Sequence, residues 1–365
     1  MAIDYPSLQS APRLLLEAEL KPLQGDRFQP TGFADLGAAR YKAPNNEEML
    51  LVESAQSVAN RLESVIWDDA TGDLIPDLKG IPYVSIDCGE HGKSNSLFEF
   101  HRLNSPYLWE GVETDSAVRF RNAFMADMGL RPSQRRKKKG VKKSDEDEIP
   151  GTFDMKKFVT TVFKWDPNSI IHGLFLEKVA GRLRLMRMLS GFIEATDVRA
   201  AESGGTKIDH ILPSPKSLGL SADDGFGNVP FHRTEFTAKR IVAYFNLDLA
   251  LLRGYGLPEE ATKLLIALSL LKVRRFLNQG LRLRTACDLD LAGDLTATRP
   301  QGFVVPNESD LLADAKARLD ACANIDGLFS EPPVTIVTWE APLKGRKTAK
   351  PESASGDEED NQDDE

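Results

Sequence analysis

The sequence contains little cysteine and no long apolar run. Its three cysteines among 365 residues, Cys88, Cys287 and Cys322, are far apart and form no CxxC pair. This argues against a disulfide scaffold or a cysteine-rich zinc site and is typical of a reducing compartment. No run of about 18 apolar residues occurs, and the first residues lack a basic-then-apolar signal sequence. We therefore predict a cytoplasmic protein with no membrane partner.

Familiar catalytic motifs are also missing. The five histidines form no HExxH, and there is no GxSxG, P-loop or dinucleotide fingerprint. His91 lies close to Cys88, but two ligands without a second pair are a weak metal signal. Asp288, Asp290 and Asp294 resemble an acidic metal cluster, although pairing with nearby arginines explains them more simply. We expect no cofactor and no metal, and we rank binding above catalysis.

Charge is distributed unevenly along the chain. The formal net charge is −9, but residues 352–365 hold eight acidic and no basic residues, so the rest carries −1. Residues 131–143 hold eight basic residues and no acid, and the acidic run 144–148 follows at once. Such blocks are typical of disorder. We expect a mobile basic segment, which either contacts polyanions or is a solvated linker, and a solvated acidic tail.

Apolar periodicity predicts helices that alternate with strands. The predicted strands are 14–20, 49–53, 81–88, 158–163, 191–198, 240–252, 281–291 and 334–339. The predicted helices follow Ser54, occupy most of 94–130, run from Pro167 towards Gly181, and span 258–279 and 309–323. Two Gly/Pro-rich segments, 21–46 and 200–233, interrupt this order, and the second is either an extended arm that reaches a partner or disordered. The order suggests an α+β sheet of ferredoxin-like type with large insertions.

The stretch LLVESAQSVANRLESVIW, residues 50–67, contains the first candidate site. A helix that begins here presents unpaired N–H groups and a partial positive charge, which attract anions. Its polar groups are the predicted cap Ser54, the donors Gln56, Ser57 and Asn60, and Arg61 on the open face, with Arg27 and Arg40 on the preceding loop expected to converge there. For this stretch alone, an ordinary exposed helix face is the simpler explanation.

Arginines form the second candidate site. Alternating arginines place several guanidinium groups on one face of a strand, which suits a nucleic-acid backbone. Pairing with Glu194, Asp288 and Asp290 explains them equally well. The set is Arg182, Arg184, Arg187, Arg274, Arg275, Arg282 and Arg284.

Several stretches together resemble a known family. They are LEAELKPLQGDRFQPTGFADLGAARY, LLVESAQSVANRLE, LEKVAGRLRLMRMLSGFIEATDVR, GFGNVPFHRTEFTA, YFNLDLALLRGYGL and LRLRTACDLDL. The chain resembles the RAMP-superfamily backbone subunit (Cas-seven type) of the type I-U, also called I-G, CRISPR surveillance complex, Cascade, over most of residues 14–292.

The resemblance implies a modified ferredoxin-like, RRM-like palm with inserted finger and thumb elements. The implied divisions are palm with Gly-rich loop and phosphate-binding helix start (1–93), helical finger with basic linker 131–143 (94–157), palm (158–199), thumb-like arm (200–233), second half of the palm (234–343) and disordered acidic tail (344–365).

The resemblance also implies a function. Family members bind CRISPR RNA without cleaving it, polymerise along it as copies of one chain, assemble with other Cascade subunits and leave the guide free to pair with target DNA. Distant type III relatives cleave RNA through a loop aspartate, so the alternative is a metal-dependent endoribonuclease using Asp26 or Asp209. A protein-binding adaptor is a third possibility.

Residue roles follow by position. ESAQSVANR is similar to the family pattern SSQSxKRA, in which Ser54, Gln56, Ser57 and Arg61 match and Asn60 replaces a lysine. The expected RNA-binding residues are these five with Arg27, Arg40, Arg182, Arg184, Arg187, Arg282 and Arg284. The arm matches the thumb by its place in the chain, and its expected base-intercalating residues are Ile208, Ile211, Leu212, Phe226 and Phe231.

Overall fold

The computed structural model describes residues 2–33, 36–130, 153–177, 179, 182–213, 219, 225–279 and 281–340. The predicted basic segment 131–143 and acidic tail 344–365 lie outside these residues. The strands are β1 (Leu14–Pro22), β2 (Gly32–Phe33), β3 (Gly37–Ala38), β4 (Arg40–Lys42), β5 (Glu48–Glu53), β6 (Trp67–Asp68), β7 (Asp73–Leu74), β8 (Tyr83–Asp87), β9 (Lys93–Asn95), β10 (Val112–Glu113), β11 (Leu174–Leu176), β12 (Leu183–Leu185), β13 (Leu189–Thr196), β14 (Arg199–Lys207), β15 (Val229–Thr237), β16 (Arg240–Leu247), β17 (Leu281–Arg284), β18 (Cys287–Leu291), β19 (Thr296–Arg299) and β20 (Val334–Thr338). The helices are α1 (Tyr5–Gln9), α2 (Ala55–Ser64), α3 (Pro106–Glu110), α4 (Phe120–Asp127), α5 (Met155–Trp165), α6 (Pro167–His172), α7 (Leu249–Gly254), α8 (Glu259–Asn278) and α9 (Glu308–Ala323), with 3₁₀ turns at Pro76–Leu78, Gly89–His91 and Arg102–Asn104.

The main sheet has the strand order β17-β18-β1-β16-β13-β5-β4, and β19 also pairs with β1. Every pairing in it is antiparallel. In β1, Leu14, Leu16, Ala18 and Leu20 are buried and alternate with more accessible residues, as expected for a strand with one face on the core. The chain therefore forms a mixed α/β structure built on an antiparallel sheet.

Two connections between strands of the main sheet pass through helices. Strand β13 runs in the same direction as β1 because each pairs antiparallel with β16, which lies between them. Helix α2 precedes β13 in the chain and packs on it, and α8 joins β16 to β17 and β18. Most of α8 is buried, which explains why its apolar residues occur on all sides rather than as one stripe.

The sheet is curled, so that strands far apart in its order come close. Arg284 of β17 donates to the carbonyl oxygens of Val52 in β5 and of Gln29, both at 3.1 Å. The N–H of Gln29 donates to Ala286 at 2.8 Å, and that of Thr31 donates to Val52 at 2.9 Å. The loop before β2 therefore closes the gap between the two sides of the sheet.

A second sheet has the order β10-β20-β8-β9. Its central pair is parallel, with Val334 opposite Tyr83. Helices α3, α4 and α5 meet beside it through contacts among Trp109, Phe120 and Trp165. Among the described residues, no helix is long and apolar enough to cross a membrane.

The described part of segment 200–233 includes much of an extended hairpin, in line with one of the two sequence interpretations. Strands β14 and β15 pair from Arg199 opposite Thr237 to Lys207 opposite Val229. Most of their residues are exposed. Gly204 is required by close packing, because a Cβ there would lie 2.5 Å from the carbonyl oxygen of Phe231.

Other local predictions were wrong. The predicted strand 158–163 is the middle of α5, and the predicted strand 240–252 ends at Leu247 and continues as α7. The predicted helix after Pro167 ends at His172 and is followed by β11. The region 94–130, which was predicted to be mostly helical, begins with β9 and contains a 3₁₀ turn, so only part of it is α-helical.

Candidate nucleic-acid interface

The start of α2 is built as the sequence predicted. Ser54 has extended backbone dihedrals, and its hydroxyl accepts from the N–H of Ser57 at 3.3 Å. Apolar residues on the opposite side, including Val58 and Leu62, are buried and fix the helix on the body of the protein. The partial positive charge of the helix start therefore faces outward with its remaining N–H groups.

Gln56 and Asn60 lie on the exposed side of this first turn. The amide of Gln56 donates to Asn60 Oδ1 at 2.9 Å, as side chains four residues apart on a helix can. Both side chains are exposed. Together they present neutral polar groups beside the positive end of the helix, an arrangement that suits a phosphate without requiring one.

Arg187 lies against the same helix start. Its Nη1 donates to the carbonyl of Ala55 at 3.2 Å and its Nη2 to Gln56 Oε1 at 2.9 Å, while Nε donates to the carbonyl of His172 at 3.4 Å. Burial lowers the pKa of this half-buried guanidinium, which nevertheless stays charged. A fixed positive charge is thus held beside the exposed turn.

The predicted open-face position of Arg61 is wrong. Its Nε lies 3.0 Å from Oε1 of the buried Glu53, and its other nitrogens donate to the carbonyl oxygens of Arg282, at 3.3 Å, and Leu283. The side chain is 31% exposed. Arg61 therefore ties α2 to β17, because a buried carboxylate needs a charged partner.

Ser57 and Arg284 are also turned toward Glu53. The hydroxyl of Ser57 donates to one carboxylate oxygen, and Arg284 pairs with the other. These two predicted RNA-binding residues, together with Arg61, thus surround one buried acid where β5, α2 and β17 meet. We name Glu53, Arg61 and Arg284 the seam cluster.

Other arginines of the predicted set divide into exposed and internal groups. Arg282 has a 79% exposed side chain, 3.8 Å from Asp288. Arg182 and Arg184 are exposed beside the buried Leu183 and Leu185, which confirms the predicted alternation. The guanidinium of Arg184 lies 5.2 Å from the ring centre of Phe175.

Arg274 and Arg275 are turned inward instead. Arg274 donates to the carbonyls of Val305, at 3.0 Å, and Pro306, at 3.3 Å. Arg275 donates to the carbonyl of Val65 at 2.7 Å and pairs with Glu308 at 2.8 Å. Both connect α8 to neighbouring segments.

Arg27 and Arg40 lie at the base of the hairpin, so the prediction that they converge on the start of α2 is wrong. Arg27 is 3.3 Å from Glu235, and Arg40 is 3.5 Å from Glu48 and 5.8 Å from the ring centre of Phe236. The cause is the loop path, since Phe28 pairs with Phe236 and β4 pairs with β5.

The predicted intercalating residues lie on or beyond the outer half of the hairpin. Ile208, Ile211, Phe226 and Phe231 are exposed, Ile211 to 94%, and Leu212 is half-buried. Their contact with bases stays a prediction.

Asp209 is one of the two aspartates of the nuclease alternative, and backbone hydrogen bonds hold its carboxylate in place. Its carboxylate accepts from the N–H groups of Ile211 and Leu212, both at 2.9 Å, and Gly227, at 2.8 Å. These donors lower its pKa. Asp26 lines a shallow cleft with Arg27, Glu235 and Asp288. Among the described residues, no group of three or more histidines, cysteines and acids is arranged to hold a metal ion.

Sequence reasoning missed the buried partners of this surface. Glu53 ends a buried strand, and an acid at such a position signals an ion pair, but its partners were not identifiable from spacing. Lys272 and His172 form a second buried polar group behind Arg187. Lys272 occurs within an apolar run, which was the available signal.

Known proteins resemble this chain in sequence and in structure. The family model described as CRISPR-associated protein GSU0053 matches residues 14–200, just over half of the chain. A chain of a solved "CRISPR RNA-guided surveillance complex, pre-nicking" is similar with 13% identity and a TM-score of 0.37, over 76% of this chain and 73% of that chain. The crystal structure of Thermofilum pendens Csc2 is similar with 9% identity and a TM-score of 0.31, over 88% of this chain and 80% of that chain. No curated protein sequence matches significantly.

Proposed function

Since the chain belongs to the family of CRISPR-associated protein GSU0053, we propose that it is a non-catalytic subunit that binds CRISPR RNA along its sugar-phosphate backbone. The proposal rests on one observation above all. The exposed start of α2, with Gln56 and Asn60, lies between the fixed cation of Arg187 and the β17 strand that presents Arg282. Helix dipole, neutral donors and guanidinium groups are the chemistry that recognises phosphate.

The fold supports the same proposal. The main sheet places β18, β1, β16 and β13 side by side, and α2 and α8 lie in the connections that precede β13 and follow β16. This order supports the proposed ferredoxin-like palm, whose elements follow as β-α-β-β-α-β. The hairpin β14–β15, inserted between β13 and β16, would then be the proposed thumb.

Binding of this kind is independent of RNA sequence. Phosphate carries no sequence information, so the contacts position the guide and leave its bases for pairing with target DNA. Several copies on one RNA, together with other Cascade subunits, would give a filament whose length is set by the RNA. Cleavage of the guide is not part of the proposal.

Charge reversal of exposed arginines tests the proposal. We expect Arg282→Glu and Arg184→Glu each to weaken the binding of a labelled single-stranded RNA about tenfold and to lower the slope of log affinity against log salt by about one. Lys316→Glu is the matched control, because Lys316 is an exposed cation on α9 whose partner is Asp77. Fluorescence anisotropy at several salt concentrations measures both quantities.

Co-purification tests the cellular role. The chain expressed with its CRISPR transcript and partner subunits should elute with an RNA of defined length, which stays intact on incubation with Mg²⁺. A complex that elutes free of nucleic acid contradicts the proposal. RNA shortened by the purified chain, with activity lost in Asp26→Ala, would favour the nuclease alternative.

A further inference from the structure

Lys272 is a charged side chain in the middle of the core. It lies on α8 with no exposed surface. Its Nζ donates to Asn168 Oδ1 at 2.8 Å and lies 2.8 Å from His172 Nε2, and both of these partners belong to α6. Lysine is almost never fully buried, because the loss of hydration disfavours its charged form. An apolar residue would be the simpler way to fill this position.

Several titratable groups lie around Lys272 and His172. They are Glu63 on α2, Asp166 at the N-cap of α6, Arg102 on the 3₁₀ turn and Arg187 before β13. Arg102 pairs with Glu63 at 2.6 Å and donates to the carbonyl of Gly173 at 3.2 Å. Asp166 caps α6 by accepting from the N–H of Asn168 at 2.9 Å. The group thus joins α2, α6 and α8 in one polar cluster.

Only Arg187 lies between this cluster and the proposed RNA surface. The carbonyl of His172 accepts from Arg187, which in turn holds Ala55 and Gln56 at the start of α2. Gly173 has a φ of +85°, and a Cβ there would lie 3.1 Å from the backbone nitrogen of Arg187. The end of α6 is therefore pressed against the backbone of the arginine that it also anchors.

We propose that Lys272 is a positioning residue for the RNA surface: through His172 it fixes Arg187 at the start of α2, so that tight RNA binding requires the charged form of Lys272. This inference rests on the proposed function of the same surface. The contacts run without a gap from Nζ through the imidazole and the carbonyl of His172 to the guanidinium. The lysine itself touches no RNA in this arrangement.

The charge state of Lys272 decides the strength of its hydrogen bond to the histidine. A charged ammonium donates to both Asn168 Oδ1 and His172 Nε2, which fixes the imidazole with its proton on Nδ1. A neutral amine keeps two donors for these partners, but its hydrogen bonds are no longer charge-assisted and are weaker, and it removes a positive charge from behind the phosphates. Burial lowers the pKa of Lys272 to about 7, and burial also lowers the pKa of His172, so the lysine is the group that changes charge near neutral pH.

The sign of the pH effect follows from linkage. Bound phosphate favours the ammonium, so RNA binding raises the pKa of Lys272 and takes up a proton. RNA affinity should therefore be highest below the pKa of the free protein and fall as the pH rises through it. Folding instead favours the neutral amine, because a buried ammonium lowers the stability of the folded protein and a buried neutral amine does not.

The experiment compares RNA affinity from about pH 6 to about pH 9 at constant ionic strength, with a short labelled single-stranded RNA of mixed sequence as the probe. We expect the wild type to lose about tenfold in affinity over this range. Lys272→Met should bind weakly at every pH and lack this step, and its Tm should fall because Asn168 Oδ1 and His172 Nε2 lose their partner. A purely structural role would lower Tm but leave the pH step in place.

Lys263→Met is the control, because Lys263 lies on the same helix but pairs with Glu259 and Glu260 away from the cluster. It should keep the wild-type pH step. A wild type that binds RNA without the step, or a Lys272→Met variant that keeps it, overturns the inference and leaves the proposed function intact. A wild type that binds no RNA at any pH overturns both.

Discussion

Glu53 shows how one buried acid can organise a surface. It lies at the end of β5 with no exposed side chain, and Arg61 and Arg284 approach it from α2 and β17. Burying a carboxylate is costly without charged partners, and two arginines supply more charge than the acid needs. The seam cluster therefore keeps a net positive charge directly beneath the proposed RNA surface while it holds two sides of the sheet together.

Replacing Arg61 should affect stability first. We expect Arg61→Ala to lower the free energy of unfolding by about 1–3 kcal/mol, because it leaves a buried carboxylate with one arginine and removes the donor to two β17 carbonyls. Urea unfolding followed by circular dichroism measures this. Asn60→Ala, on the exposed side of the same turn, should stay within about 0.5 kcal/mol of the wild type.

The opposite result has a clear meaning. If both variants unfold like the wild type and only Arg61→Ala loses RNA affinity, Arg61 extends into solvent as the sequence indicated. Sequence spacing placed Arg61 correctly on α2 next to Ser57, but it could not show that Glu53, eight residues earlier, faces the same point. Arg284 comes from a strand near the other end of the chain, and only the curl of the sheet brings it there.

At the scale of elements, the period of the apolar residues was enough to predict several strands and helices. Strands β1 and β13 and helices α2, α8 and α9 were predicted, because each has a sustained pattern bounded by caps or turns. Helix α5 was missed because six β-branched and aromatic residues were considered without their neighbours. Phe158, Val162 and Trp165 are buried while Thr160 is less so, which is a helical pattern over the longer window.

The hairpin β14–β15 should be separable from the fold. We expect that replacing residues 204–232 with a two-residue Asn-Gly turn, which joins the cross-strand partners Ser203 and Arg233, changes the free energy of unfolding by less than about 0.5 kcal/mol. The reason is that the described residues of this range are mostly exposed and contribute little to the core. Thermal unfolding measures this.

The same variant tests the thumb. If the hairpin spaces copies along the guide, the shortened chain should still bind single-stranded RNA but change the number of nucleotides covered per copy, as measured by light scattering of complexes on RNAs of increasing length. Loss of the cooperative unfolding transition would instead show that the hairpin supports the core. An unchanged footprint would remove the spacing role from the hairpin.

For the whole molecule, the net charge of the chain has the same negative sign as the proposed RNA partner. The chain carries −9, of which residues 352–365 contribute eight negative charges, so a protein proposed to bind RNA is itself acidic. Binding then depends on local fields, since a concentrated cationic surface attracts phosphate within about 10 Å at moderate salt whatever the distant charge. The acidic tail shares the sign of RNA and is attracted to the same guanidinium groups.

The tail should therefore compete with RNA. We expect conversion of its eight acids to Asn and Gln, which changes the net charge from −9 to −1, to tighten the binding of mixed-sequence RNA several-fold at about 50 mM salt, and the gain to vanish near about 500 mM because exposed charges are then screened. Anisotropy titrations across salt measure this. Keeping the length constant separates charge from chain length, and truncation after Lys350 should give the same gain if charge alone acts. Equal affinities of the neutralised and wild-type chains at low salt would mean that the tail does not reach the arginines, and that the local field of the RNA surface alone sets the affinity.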